Sequence, residues 1–184
     1  MTTTTARHGW VLPVDTEQAD PAVYNTVFSS IDGKLPEDTG HDAFYYSTVT
    51  QNIGSLAEVL VAFPSSSRTT TLVTRTASGT GHYFTLNRAG IWALTSTLRY
   101  QSHANATNER YVAIQQGTGP GAPPLAADSG SVGGYNTLNC ATTRYFAAGT
   151  NICVEAYHTI PSVTLVLDNA SPGWYNIGLV WLWG

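Results

Sequence analysis

The chain has 184 residues, only 11% of them charged, with Lys34 as its single lysine and a net charge of −4. That length suits one domain of ordinary size plus an extension, and it allows a core without disulfide staples. The arginines are scattered singly from Arg7 to Arg144, which argues against nucleic acid as a partner. No apolar stretch approaches the ~20 residues of a membrane helix.

Soluble domains are typically about 25% charged. Here threonine, serine, glycine, asparagine and alanine take that share. Mixed charge keeps free proteins apart, so a surface this neutral suits a chain covered by neighbouring subunits. The alternative is an extracellular β-domain kept soluble by hydroxyls. The opening MTTTTARHGW has no hydrophobic signal region, and synthesis in a cytoplasm is the expectation.

Residues 1–40 read as an irregular leader. Asp20-Pro21 supplies a helix N-cap and first turn, and Val23, Val27 and Ile31 follow at four-residue spacing with Tyr24 and Phe28 beside them. Gly33 and Pro36 end it. This predicts a short helix over about 21–33, too short to be stable alone, whose apolar stripe needs a partner. Residues 41–68 read as a polar, aromatic connector.

From Thr69 to Gly184 the pattern is continuous β. Strands are expected at 69–76, 82–87, 91–101, 110–116, 135–147, 152–158, 163–167 and 174–183. In the third, Trp92, Leu94, Leu98 and Tyr100 alternate with Thr95, Thr97 and Arg99. Residues 117–134 are rich in Gly, Pro and Ala and read as a long loop. The closing WYNIGLVWLW is apolar on both faces, with Ile177, Leu179, Trp181 and Trp183 on one and Val180 and Leu182 on the other. It is expected in a central strand or an interface. Many short strands separated by turns indicate an all-β sandwich or jelly roll. Cys140 and Cys153 flank a turn and would face each other only in one hairpin register; two free, buried thiols are preferred.

No motif for a catalytic serine, a metalloprotease or a phosphate-binding loop occurs. No cofactor is expected. His8, His41, His82, His103 and His158 are dispersed, and His158 reads as a surface imidazole. The cluster Asp38, His41 and Asp42 offers oxygen and imidazole ligands, but a solvated loop is the preferred reading, so no metal is expected. Carboxylates are few and half of them lie in the leader, so an enzyme is not expected. A cell-wall hydrolase stays as a minor alternative. Binding suits the residues better. The segment 101–109 is polar and Asn-rich, and together with 118–135 it presents His103, Asn105, Asn108, Tyr135 and Asn136 as candidate glycan contacts. The sequons at Asn105 and Asn169 read as chance.

Two resemblances extend this reading. The run Tyr83 to Trp92 (YFTLNRAGIW), Leu98-Arg99-Tyr100 and Tyr145 to Val154 (YFAAGTNICV) resembles the C1q/TNF-like jelly roll over about residues 69–184, with Thr150 where that family usually has Asp. In the leader, Gly9-Trp10-Val11-Leu12-Pro13, Asp15 and Asn25 to Lys34 (NTVFSSIDGK) resemble the N-terminal segment of bacteriophage tail-fibre and minor tail proteins. Together they imply a homotrimeric virion protein with a C-terminal jelly-roll head that binds host-surface glycan. Its leader would attach to other virion proteins through Trp10, Leu12, Pro13, Val23, Val27, Phe28 and Ile31. A capsid decoration or head fibre, or a bacterial C1q-like lectin or adhesion module, are the alternatives.

Overall fold

Alternation governs the longest strand, β9 (Gly90–His103): Trp92, Leu94, Leu98 and Tyr100 are fully buried while Thr95 is exposed. The computed structural model describes residues 2–4, 11–13, 40–104, 107–131, 133–169 and 175–184. It divides into two units, Met1–Gly40 and His41–Gly184. Among the described residues every regular element is a strand.

In the first unit β1 (Thr2–Thr4) pairs antiparallel with β2 (Val11–Pro13), Thr2 opposite Pro13 and Thr4 opposite Val11. Leu12 and Pro13 thus lie on a strand. The expected helix over 21–33 falls outside the described residues, as do Trp10, Val23, Val27, Phe28 and Ile31.

The second unit is a sandwich of two antiparallel sheets. One sheet holds β9 at its centre. Along one edge of β9 runs β12 (Gly134–Phe146). Along the other runs β15 (Tyr175–Trp183), and beyond it β14 (Leu165–Leu167) takes over at Tyr100. From β15 the sheet continues through β3 (Asp42–Tyr46) to β6 (Ser65–Arg68), and from β14 to β4 (Gln51–Ile53). The second sheet has the order β11 (Pro124–Gly130), β10 (Arg110–Gln116), β13 (Thr150–His158), β8 (Gly81–Leu86), β7 (Val73–Ser78), with β5 (Val59–Leu60) continuing the β8 edge of β13.

Between the sheets the inward residues of β9, β15 and β3 meet Phe84, Leu86, Val112, Ile114, Ile152 and Val154, all fully buried. Each large apolar side chain so buried contributes roughly 1.5–3 kcal/mol. Gln51 ties three segments together: its Nε2 donates to Leu60 O at 2.8 Å, and its Oε1 accepts from Ala62 N at 2.8 Å and the Tyr175 hydroxyl at 2.6 Å.

Several expectations are corrected. Residues 41–68 are not a connector but supply β3, β4, β5 and β6 to both sheets. The long loop over 117–134 contains β11, an edge strand of polar and small residues whose pattern carries little apolar signal. Residues 69–72 turn rather than extend, and the strand starts at Val73. β12 and β13 do not form a hairpin. The turn between them carries the chain from one sheet to the other, so Cys140 lies opposite Ser96 and Cys153 opposite Gln115. Both thiols are free and buried, as preferred. β15 is central as expected, but a bulge between Trp181 and Trp183 shifts its register. One extra residue inverts the alternation, so Trp181 is 9% exposed and Trp183 62%.

Outward residues of β13 are also buried, Cys153 completely and Glu155 to 3% exposure. The turn after β10 folds back over them. Gly121, at φ +87°, aims its N–H at the Glu155 carboxylate, 2.8 Å away, and Gly119 O accepts from the Cys153 thiol at 3.6 Å.

Candidate functional site

The outward face of the β9 sheet follows from register. Across β12, β9, β15 and β3 its rows read Asn139, Thr97, Asn176, Tyr46, then Ala141, Thr95, Gly178, Phe44, then Thr143, Ala93, Val180, Asp42. Tyr145 and Trp183 flank Ile91 at the end of this face. These two aromatics are 63% and 62% exposed. The ionic groups on this face are matched: Asp42 pairs with Arg68 at one margin, and Arg99 with Asp168 at the other, at 2.6 Å. Between those pairs lies a neutral surface of threonine, alanine, glycine and aromatic rings. Exposed surfaces of this kind mark contact sites. The alternation in β9 already placed Thr95 and Thr97 outward, but the reading of 41–68 as a connector hid Phe44 and Tyr46.

Of the predicted glycan residues, His103, Asn108, Tyr135 and Asn136 gather at one end of the sandwich, in differing environments. His103 ends β9 opposite Gly134 and is half-buried. Tyr135 is 57% exposed, and the Arg99 guanidinium lies 4.2 Å from its ring centroid. Arg99 is itself fixed, since its Nε donates to Asp168 Oδ2 at 2.8 Å. Asn108 spends its amide on Thr159 O at 3.0 Å, closing the turn before β10. Asn136 is buried opposite Tyr100, with Nδ2 lacking a partner. Asn105 lies outside the described residues. The exposed face of this end is therefore Tyr135, with His103 beside it.

His158 is corrected from a surface to a core residue. It is fully buried, its Nδ1 accepts from Ile160 N at 3.2 Å, and its Nε2 therefore donates to Ile53 O at 2.9 Å. Burial pulls its pKa below the ordinary value, and the neighbouring Arg110 and His103 charges add to this against the raising effect of the Ile53 carbonyl. His82 likewise accepts from Phe63 N through Nδ1 at 3.0 Å, and its pKa is lowered by burial and then by Arg75. Burial raises the Cys140 thiol to about 12 and the Cys153 thiol to about 11. Neither is a nucleophile at neutral pH. Of the Asp38, His41 and Asp42 cluster, Asp38 is outside the described residues. Asp42 is tied to Arg68, and His41 stacks edge-on against Trp181 at 5.2 Å.

The order of strands in the two sheets defines a TNF-like jelly roll. Solved structures agree. Murine APRIL crystallised at pH 5.0 is 16% identical, with a TM-score of 0.55 over 77% of this chain and 98% of that one. Eiger TNF from S. frugiperda is 14% identical, with a TM-score of 0.53 over 77% of this chain and 92% of that one. No family model matches the chain, and no curated sequence does. At these identities the likeness is one of fold.

Proposed function

We propose that the chain is a non-enzymatic structural component of a bacteriophage particle, a homotrimer attached through its first 40 residues and presenting its jelly roll to the host surface. The observation that carries the self-association is the neutral, aromatic-dotted outer face of the β9 sheet. A free monomer would expose Tyr145 and Trp183 at one end of a face that also carries Phe44 and Tyr46, with its ionic groups confined to two paired margins. Packing that face against a second copy removes it from water, and closed symmetry repeats the contact without leaving an open end.

The leader's likeness to tail-fibre and minor tail proteins supports the phage setting and the tail or baseplate position. The exposed Tyr135 and adjacent His103 support glycan contact at the end of the sandwich, where three copies acting together would strengthen weak sites. The test is incorporation. Particles assembled with the Val27→Asp, Ile31→Asp double variant should lack the protein while the isolated β unit stays folded. Undiminished incorporation contradicts the attachment.

A further inference from the structure

The outward row of the second sheet contains a hollow that register creates. Across β11, β10, β13 and β5 the partners are Ala127, Ala113, Glu155 and Leu60. The two alanines put little bulk beside Glu155, and Ala113 is itself fully buried. Two residues along, Tyr111 stands opposite Tyr157. The resulting depression measures about 350 Å³ and is lined by Glu58, Glu109, Glu155, Tyr111, Tyr157 and Gln115, among others.

Glu155 forms its floor and is only 3% exposed. Both donors that reach it, Gln115 Nε2 at 2.9 Å and Gly121 N at 2.8 Å, go to Oε2. Its Oε1 takes no hydrogen bond from the described residues, and none of the three glutamates there joins an ion pair. Oε1 is thus an open, charged acceptor facing the hollow, held in place by the two donors on Oε2. Burial raises the Tyr111 pKa, and Glu155, Glu109 and Glu58 add to that, which puts all three carboxylates within electrostatic reach of one ring. Among the described residues no three acidic, His or Cys groups converge tightly enough to hold a metal ion. The negative charge is therefore spread around a space larger than one ion. The hollow offers acceptors and ring faces, while the Gln115 amide and the Gly121 N–H are already spent on Glu155.

We infer that this hollow binds a compact, donor-rich organic cation: a protonated amine on a hydroxylated ring, the chemistry of an amino sugar. The ammonium meets Glu155 Oε1 at the floor, ring hydroxyls donate to Glu58 and Glu109 at the rim, and the ring lies against Tyr111 and Tyr157. This site is independent of the oligomer and of the particle.

The experiment is titration of the full chain with D-glucosamine, following the Gly121 backbone amide and the Gln115 side-chain amide by NMR, since both donate to the floor carboxylate. Saturable shifts at millimolar sugar are expected. N-acetyl-D-glucosamine, which lacks the charge, should bind at least about tenfold more weakly, the scale of a charge-assisted hydrogen bond. Glu58 and Glu109 are exposed, so Glu58→Gln with Glu109→Gln leaves the fold intact and should weaken glucosamine by a similar factor. Equal binding of the acetylated sugar, no shift at tens of millimolar, or a larger response to calcium chloride at the same amides would each overturn the assignment.

Discussion

His158 and Arg110 sit opposite each other at the end of the β10–β13 pair, and both are fully buried. The imidazole uses both nitrogens, donating to Ile53 O and accepting from Ile160 N. A proton added at Nδ1 would face the Ile160 N–H and place a second cation beside Arg110. The unfolded imidazole titrates near pH 6.5, while the folded one titrates lower. His158, and His82 in the same direction, therefore contribute stability that is fully present above about pH 6.5 and is lost as the pH falls toward the folded pKa. Denaturant melts should show falling stability below that point, at most about 1.4 kcal/mol per pH unit for each such histidine. His158→Gln should flatten part of the slope and cost about 1–3 kcal/mol at neutral pH through a core polar group left unpaired. A slope unchanged in that variant would count against the assignment. The thiols give a second residue-scale prediction. With Cys140 held at about 12 and Cys153 at about 11, a thiol reagent at neutral pH should label neither until the chain is unfolded.

Strand contacts at the element scale depend on a few positions where side chains are absent. At the start of β8, a Cβ on Gly81 would stand 2.3 Å from Leu60 O and 2.6 Å from Leu60 Cγ. The backbones of β8 and β5 approach so closely that Gly81→Ala should destabilise the sandwich by roughly 1–3 kcal/mol, as overpacking does, read as a lower denaturation midpoint. The legibility of the elements followed the same physics. β9, β10 and β13 were visible because one face is apolar at period two, and β15 because its run is apolar on both faces. β11 was not, because an edge strand over a closing turn needs no apolar face; its PLAADSG reads as loop. Likewise β3 to β6 are short, and their partners are far away in sequence. The crossing from β12 to β13 between sheets was illegible, since a turn sequence does not say which neighbour each strand will find. The bulge at the end of β15 hid the emergence of Trp183. Of the candidate site residues, Tyr135 was found on a surface, but the neutral face and the hollow over Glu155 both required cross-strand register, which one sequence does not contain.

Neutrality organises the whole molecule. A chain that is 11% charged places its two described ion pairs, Arg68–Asp42 and Arg99–Asp168, at the margins of the β9 sheet and leaves the ground between them to threonine, alanine, glycine and rings. Thr95 lies in that ground between Ala141 and Gly178, exposed and pointing away from the core. Thr95→Asp should therefore leave strand content and melting cooperativity of the isolated subunit nearly unchanged, while inserting a charge where the proposed second copy packs. Size-exclusion chromatography with light scattering on the purified chain is the most direct test. The account predicts a trimer for the natural sequence and a folded monomer for Thr95→Asp. A natural chain that stays monomeric and soluble at high concentration would contradict it.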